Sequence, residues 1–98
     1  MEKNYLYIHE IIILYKHKNG LCNASGHKIK ELRETAGLSQ EQLAAKIQLE
    51  GLNLNQQAIS RIETGGRLVA DYELLAFSEV LGVPICILLG KDDWHGYR

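Results

Sequence analysis

The chain has little of what marks several classes of protein. Among its 98 residues there are one proline, one tryptophan, one phenylalanine and two cysteines. So little proline excludes a proline-rich or collagen-like chain, and two cysteines do not form a disulfide framework. The apolar run at 11–15 is far shorter than the roughly 20 residues that span a bilayer. We therefore expect no membrane-spanning segment.

The beginning of the chain also lacks the pattern of a secretory signal peptide. His9 and Glu10 interrupt the early apolar stretch, and no cleavage motif follows at once. We expect a cytoplasmic protein in which the thiols of Cys22 and Cys86 are reduced. Hydrophobic residues make up 46% and charged residues 23% of the chain, the balance of one ordinary globular domain.

The net charge of −1 is low for a protein that binds nucleic acid. The charge is unevenly distributed, since residues 1–26 and 27–67 each carry a net +1, whereas residues 68–98 carry two basic and five acidic groups. The acidic surplus therefore lies at the end of the chain. A weak net charge lowers the expected non-specific affinity for DNA but leaves specific binding open.

Few residues point to catalysis or to a metal. His17, Cys22 and His27 recur at intervals of five, whereas zinc sites use four ligands that are paired two to five residues apart. The sequence has no Ser/His/Asp order, no glycine-rich phosphate loop and no paired carboxylates in an apolar setting. We expect no enzyme and no metal or other cofactor.

The chain divides into three parts. Residues 1–27 form an N-terminal extension or arm, in which YLYIHEIIILY fits neither a regular strand nor a regular helix. Residues 28–90 show helical spacing of apolar residues with short interruptions. Residues 91–98 form a polar C-terminal tail, whose Trp94 and Tyr97 are candidates for a dimer contact.

Five short helices are predicted between residues 28 and 90. Gly37 ends the first, and a capping box of Ser39 and Gln42 begins the second, which Gly51 ends. Asn55 caps a third helix that ends at about Thr64. We therefore expect a compact all-α domain with a small core.

The two remaining helices follow after the pair of glycines at 65–66. Asp71 is the predicted cap of the fourth helix, which Gly82 ends, and Pro84 begins a fifth that ends at Gly90. The pattern of the fourth helix places four residues on one side: Leu74, Leu75, Ser78 and Leu81.

The third predicted helix has a polar outer side. On a helical wheel, Ala58, Ile59 and Ile62 cluster on the buried side. The opposite side carries Gln56, Gln57, Ser60 and Arg61. Gln, Arg and Ser are side chains that read base edges in the major groove, although any surface helix has a solvated polar face.

The preceding helix strengthens the DNA-binding interpretation. Ser39 and Gln40 lie at its predicted N-terminus, where backbone N–H groups and the helix dipole attract a phosphate. A helix that contacts the DNA backbone, followed by a turn and a helix that faces the bases, is the helix-turn-helix arrangement.

Three motifs in order make the pattern recognisable: KIKELRETAGLSQEQLAAKI, NQQAISRIETGGR and DYELLAFSEVLGVPICILLG. Over residues 28–90 the chain closely resembles the Cro/repressor-type (Xre family) helix-turn-helix domain. The resemblance implies a five-helix, repressor-like domain that binds double-stranded DNA. It also implies a homodimer, with Leu88 and Leu89 of the last helix at the interface.

The resemblance assigns roles to individual residues. Bases would be read by Gln56, Gln57, Ser60 and Arg61. Backbone phosphates would be contacted by Ser39, Gln40, Asn55, Thr64 and Arg67. Arg33 and Glu63 match a pair that forms a buried salt bridge in some family members.

The sequence departs from the common family pattern between the second and third helices. Eight residues, 48–55, separate Ile47 from Gln56, about five more than usual. We expect the second helix to extend by a turn and the chain then to loop back. With this insertion, the resemblance does not determine the angle of the recognition helix in the groove. It also does not determine whether Glu50 or Asn53 contacts DNA.

Together these observations predict a sequence-specific transcriptional regulator, a repressor that binds a palindromic operator as a homodimer. The alternative is an antitoxin or other protein-interaction module in which DNA binding is secondary. In that case the tyrosine-rich arm before residue 20 would dock a protein partner. A further alternative is that the fold is kept while DNA binding has been lost.

Overall fold

The computed structural model describes residues 20–91, which form five α-helices and their connections. The helices are α1 Gly26–Thr35, α2 Gln40–Leu49, α3 Gln56–Glu63, α4 Asp71–Leu81 and α5 Ile85–Leu88. No strand occurs between residues 20 and 91. The predicted all-α class is confirmed, whereas Trp94, Tyr97 and the arm before residue 20 lie outside the described residues.

The predicted caps of α2 and α3 are confirmed. Ser39 Oγ accepts a hydrogen bond from the Gln42 backbone N–H at 3.0 Å, and Gln42 Oε1 accepts one from the Ser39 N–H at 2.8 Å. Asn55 Oδ1 accepts a hydrogen bond from the Ala58 N–H at 2.8 Å. Both helices therefore start where their local sequence satisfies the first N–H groups.

The start of α4 differs from the prediction. Ala70, not Asp71, is the capping residue, and Asp71 is the first residue of the helix. Since alanine has no side-chain acceptor, Glu73 takes over part of the cap and accepts a hydrogen bond from the Ala70 N–H at 3.0 Å. The helix ends at Gly82 as predicted, with a φ of +71° that favours glycine.

The core lies where α1, α4 and α5 meet and where α2 packs on α3 and α4. Its buried apolar side chains are Ile29, Leu43, Ala44, Ile47, Leu54, Ile59, Ile62, Ala76, Phe77 and Leu88. Of the four α4 residues predicted to share one side, Leu74, Ser78 and Leu81 are half-buried and Leu75 is 50% exposed. Phe77, which that set did not include, is fully buried. Burying the large aromatic ring removes more apolar surface from water than burying a leucine does.

The last helix also differs from expectation. Leu88 is fully buried and belongs to the core, so it is not a residue of an intermolecular interface. Leu89 is 43% exposed and is still free to contact a second molecule. Because α5 has only four residues, it buries only Leu88 in the core.

The lengthened turn packs on the domain through Leu54. α2 ends at Leu49, two residues after Ile47, so the predicted extra turn of helix is not formed. Leu54 is buried, and Gln48 Nε2 donates a hydrogen bond to the Leu54 carbonyl at 3.1 Å. Because Leu54 anchors the end of the turn, the start of α3 is fixed despite the added residues. Glu50 and Asn53 are exposed.

Residues 21–25 precede α1 and lie against the end of α3; we call them the strap. The Cys22 N–H donates a hydrogen bond to the Gly65 carbonyl at 2.9 Å, and Leu21 contacts Gly65. α1 itself begins at Gly26, slightly earlier than the pattern from Lys28 predicted. The strap therefore joins the beginning of the described chain to the end of the third helix.

No helix within residues 20–91 is long and apolar enough to cross a bilayer.

Candidate nucleic-acid interface

The two helices that were predicted to contact DNA pack against each other. α3 buries three of its side chains, Ile59, Ile62 and Glu63. Of the predicted base-reading residues, Gln56, Gln57 and Arg61 are exposed, and Ser60 is half-buried. One side of α3 thus holds the helix in the domain, and the other presents amide and guanidinium groups to solvent.

A chain of side-chain hydrogen bonds connects α3 to α2. Gln56 Nε2 donates to Gln40 Oε1 at 2.6 Å, and Gln40 Nε2 donates to Glu63 Oε1 at 3.0 Å. The first residue of α2 is therefore held between the two ends of α3. This arrangement limits the rotamers of Gln40 and Gln56 before any ligand arrives.

Glu63 is in turn paired with Arg33 of α1. Arg33 Nε lies 2.6 Å from Glu63 Oε2, and Arg33 Nη2 lies 3.0 Å from Glu63 Oε1, so the contact is bidentate. Arg33 is 8% and Glu63 2% exposed. The hydrogen bonds to Glu63 raise the pKa of Arg33 above its ordinary value, although burial acts to lower it. The structure thus contains the ion pair that the resemblance implied.

An open groove lies at the N-terminus of α2. Its lining residues are Arg33, Ser39, Gln40, Glu41 and Gln56. The Gln42 N–H is already bonded to Ser39, so the first N–H groups of the helix, those of Gln40 and Glu41, are the ones that a phosphate would meet. The carboxylate of Glu41 opposes an anion at this position.

The far end of α3 carries a positive charge and a hydroxyl group. Arg61 is exposed, and its Nη2 atom lies 3.5 Å from the Gly66 carbonyl oxygen, a long contact. Among the described residues, Arg61 has no carboxylate partner. Thr64 is also exposed and donates its hydroxyl to the Ser60 carbonyl at 3.0 Å. The charge of Arg61 is thus open to an anionic or polar ligand.

Arg67 is engaged elsewhere. Its Nη1 and Nη2 atoms lie 2.9 and 3.0 Å from the two carboxylate oxygens of Glu73 on α4. These hydrogen bonds raise the pKa of Arg67 and hold the pKa of Glu73 below its ordinary value. A phosphate at Arg67 would have to compete with the Glu73 carboxylate.

Sequence reasoning missed two residues that shape this surface. Glu73 was not predicted as the partner of Arg67, because no local spacing rule joins a loop residue to a helix six positions later. Asn23 was not predicted to contact the end of α3. Asparagine side chains often accept hydrogen bonds from backbone N–H groups a few residues further along the chain, so the local sequence could have placed Asn23 beside the start of α1.

Within residues 20–91, no group of three or more His, Cys, Asp and Glu side chains is placed to hold a metal ion. Cys22 and Cys86 are free thiols, and both are half-buried. The candidate spacing that began at His17 starts outside the described residues.

A family model described as helix-turn-helix matches residues 29–88. No curated protein matches the chain significantly. The match covers α2, the lengthened turn and α3, together with most of α1 and all of α4 and α5. The chain therefore belongs to the Cro/C1-type helix-turn-helix family of DNA-binding regulators.

Proposed function

We propose that the chain is a transcriptional repressor that binds a palindromic operator as a homodimer, with α3 in the major groove. The observation that carries this proposal is the exposed side of α3, where Gln56, Gln57 and Arg61 stand on a helix held by a buried opposite side. Glutamine pairs with adenine and arginine with guanine through two hydrogen bonds each.

The hydrogen bond between Gln40 and Gln56 supports a division of labour between the two helices. Gln40 contacts a phosphate at the N-terminus of α2 and at the same time restrains Gln56, which faces a base. Ser39, Asn55 and Thr64 add polar groups beside the backbone. Phosphate contacts set the register of the protein on the duplex, and base contacts supply the specificity.

A homodimer follows from the small size of the base-reading surface. A helix of eight residues reads too few base pairs to find one site in a genome, and two copies double the number read at half-sites about one helical turn apart. Apolar residues on the described surface can support self-association: Leu89 after α5, and Tyr72 and Leu75, which are three residues apart on α4.

Fluorescence anisotropy tests the proposal. The full chain is titrated into a labelled duplex from immediately upstream of its own coding sequence and into a scrambled duplex, over a series of salt concentrations. We expect a preference for the upstream duplex and a log-linear fall in affinity with salt. Equal weak binding to both duplexes would contradict self-regulation and favour a protein-interaction module, whose partner a pull-down would identify.

Alanine variants test which residues read bases. Gln57→Ala and Arg61→Ala should each cost about 1–3 kcal/mol on the preferred duplex and little on the scrambled one. Gln40→Ala should weaken binding to both duplexes, because a phosphate contact is lost, and should weaken the preferred duplex somewhat more, because Gln56 loses its restraint. A uniform loss at Arg61 would show that the base-reading side of α3 is misassigned.

A further inference from the structure

Asn23 in the strap uses its carboxamide to join three separate parts of the domain. Its Oδ1 atom accepts a hydrogen bond from the Gly26 N–H at 2.7 Å, at the start of α1. Its Nδ2 atom donates to the Ile62 carbonyl at 3.0 Å, in the last turn of α3, and to the Arg67 carbonyl at 2.8 Å. One half-buried side chain thus makes hydrogen bonds to backbone groups at the start of α1, at the end of α3 and in the loop that follows α3.

Two further contacts bring the same backbones together. The Cys22 N–H donates to the Gly65 carbonyl at 2.9 Å, immediately after α3. At Gly26 a Cβ atom would overlap the Ile62 carbonyl oxygen, so only glycine allows α1 and α3 to approach this closely. The Asn23 carboxamide therefore acts where the backbones of α1, the strap and the end of α3 already lie in direct contact.

The opposite end of α3 is fixed independently. Asn55 caps it, and Gln56 donates a hydrogen bond to Gln40 of α2. A helix of eight residues is only about 12 Å long. A displacement of one end by an ångström or two therefore tilts the whole exposed side and misplaces side chains that must meet base edges to within hydrogen-bonding distance.

We propose that Asn23 is a positioning residue of the base-reading surface: it fixes the carboxyl end of α3 so that Arg61 and Gln57 keep their orientation. The proposal rests on the proposed function. Membership of the family does not assign this role, because Asn23 lies outside the matched residues 29–88. Asn23 itself contacts no base, and it acts only through the backbone of α3.

The test compares two DNA probes. One is a duplex that the wild-type chain selects from a randomised pool, and the other is a random-sequence duplex of equal length. Asn23→Ala should lower the ratio of the two affinities roughly tenfold, while binding to the random duplex, which depends on phosphates, changes less than about twofold. Measurements are made at a temperature at which circular dichroism shows each variant to be fully folded.

A control separates positioning from stability. Ser78 Oγ donates to the Val83 carbonyl at 2.6 Å, at the junction of α4 and α5. Ser78→Ala therefore also removes a half-buried side-chain bond to the backbone and lowers stability, but it should leave the affinity ratio unchanged. An Asn23→Ala variant that keeps the wild-type ratio would overturn the proposal.

Two more variants complete the test. Asn23→Asp keeps the acceptor for Gly26 but turns a carboxylate toward the Ile62 and Arg67 carbonyls, so it should reduce the ratio at least as much as Asn23→Ala. Arg61→Ala should lower the ratio of the two affinities by a smaller factor in the Asn23→Ala variant than in the wild type. If the two substitutions lower the ratio independently of each other, Asn23 does not position Arg61. If the wild-type chain selects no duplex, the proposed function itself fails.

Discussion

At the scale of single residues, the stability of the domain depends on keeping the buried pair of Arg33 and Glu63 intact. Both side chains are almost completely removed from water, and Glu63 also accepts a hydrogen bond from Gln40. Two desolvated charges in contact are tolerated because each compensates the other. A single charge left in the same place has no such compensation.

We expect Arg33→Met to lower the free energy of unfolding by about 3–5 kcal/mol, because it leaves the Glu63 carboxylate buried without its cation. The double variant Arg33→Met/Glu63→Leu should recover most of that loss. Urea unfolding followed by circular dichroism measures both. If the double variant is as unstable as the single one, the cost arises from packing and not from an unpaired charge.

The pair of Arg67 and Glu73 makes stability depend on pH. Arg67 holds the pKa of the Glu73 carboxyl below its ordinary value of 4.5. A carboxylate with a lowered pKa in the folded state stabilises the fold fully above that ordinary value, and the contribution is lost as the pH falls through the folded-state pKa.

Glu73→Gln should therefore lower stability by about 1–3 kcal/mol at neutral pH and make its decline below pH 4.5 shallower than in the wild type. Glu79→Gln is the matched control, an exposed glutamate on the same helix, and should keep the wild-type slope. Denaturant unfolding at a series of pH values gives both slopes. Equal slopes for wild type and Glu73→Gln would contradict the prediction.

Residue partners were predictable from the sequence only in part. The partnership of Arg33 and Glu63, 30 positions apart, came from the family resemblance and not from any rule of spacing. Asn23 and its partner carbonyls are separated by 39 and 44 positions, and the partners are backbone atoms that no side-chain pattern reveals. Such contacts depend on how two helices cross, which local sequence does not determine.

At the scale of elements, the sequence predicted helix ends better than helix sides. The caps Ser39 and Asn55 act within three residues of their own position, so their effect is visible in the local sequence. The pattern did not identify Phe77 as the buried centre of α4, because apolar residues surround much of that helix. Its orientation is decided by the fit of Phe77 into a core built from distant segments.

The cap of α3 can be separated from a role in DNA binding. Asn55→Ala should cost about 1 kcal/mol of stability, because the Ala58 N–H loses its partner. Asn55→Asp keeps an acceptor at the positive end of the helix dipole and should be close to the wild type in stability. Its negative charge should nevertheless weaken binding to any duplex, as anisotropy would show.

An Asn55→Asp variant that binds DNA as well as the wild type would place Asn55 away from the phosphates. The role of Asn55 would then be to cap α3 and stabilise the helix.

At the scale of the whole molecule, the strap shows that the stable unit is larger than the family match. Its hydrogen bonds and the contact between Leu21 and Gly65 precede residue 29. A chain that begins at residue 26 should be less stable than one that begins at residue 20 by roughly 2–4 kcal/mol, the sum of several modest contacts. Thermal or urea unfolding of the two chains measures the difference, and equal stability would contradict a structural role for the strap.

The strap also determines how the molecule responds to force. Cys22 donates a hydrogen bond to Gly65, and Asn23 donates one to Ile62. Tension applied to the backbone at residue 20 is therefore transmitted through these hydrogen bonds to the last turn of α3. The same hydrogen bonds hold both the beginning of the described chain and the end of α3. A pull at this point therefore loads α3, and through Ile62 the core, directly.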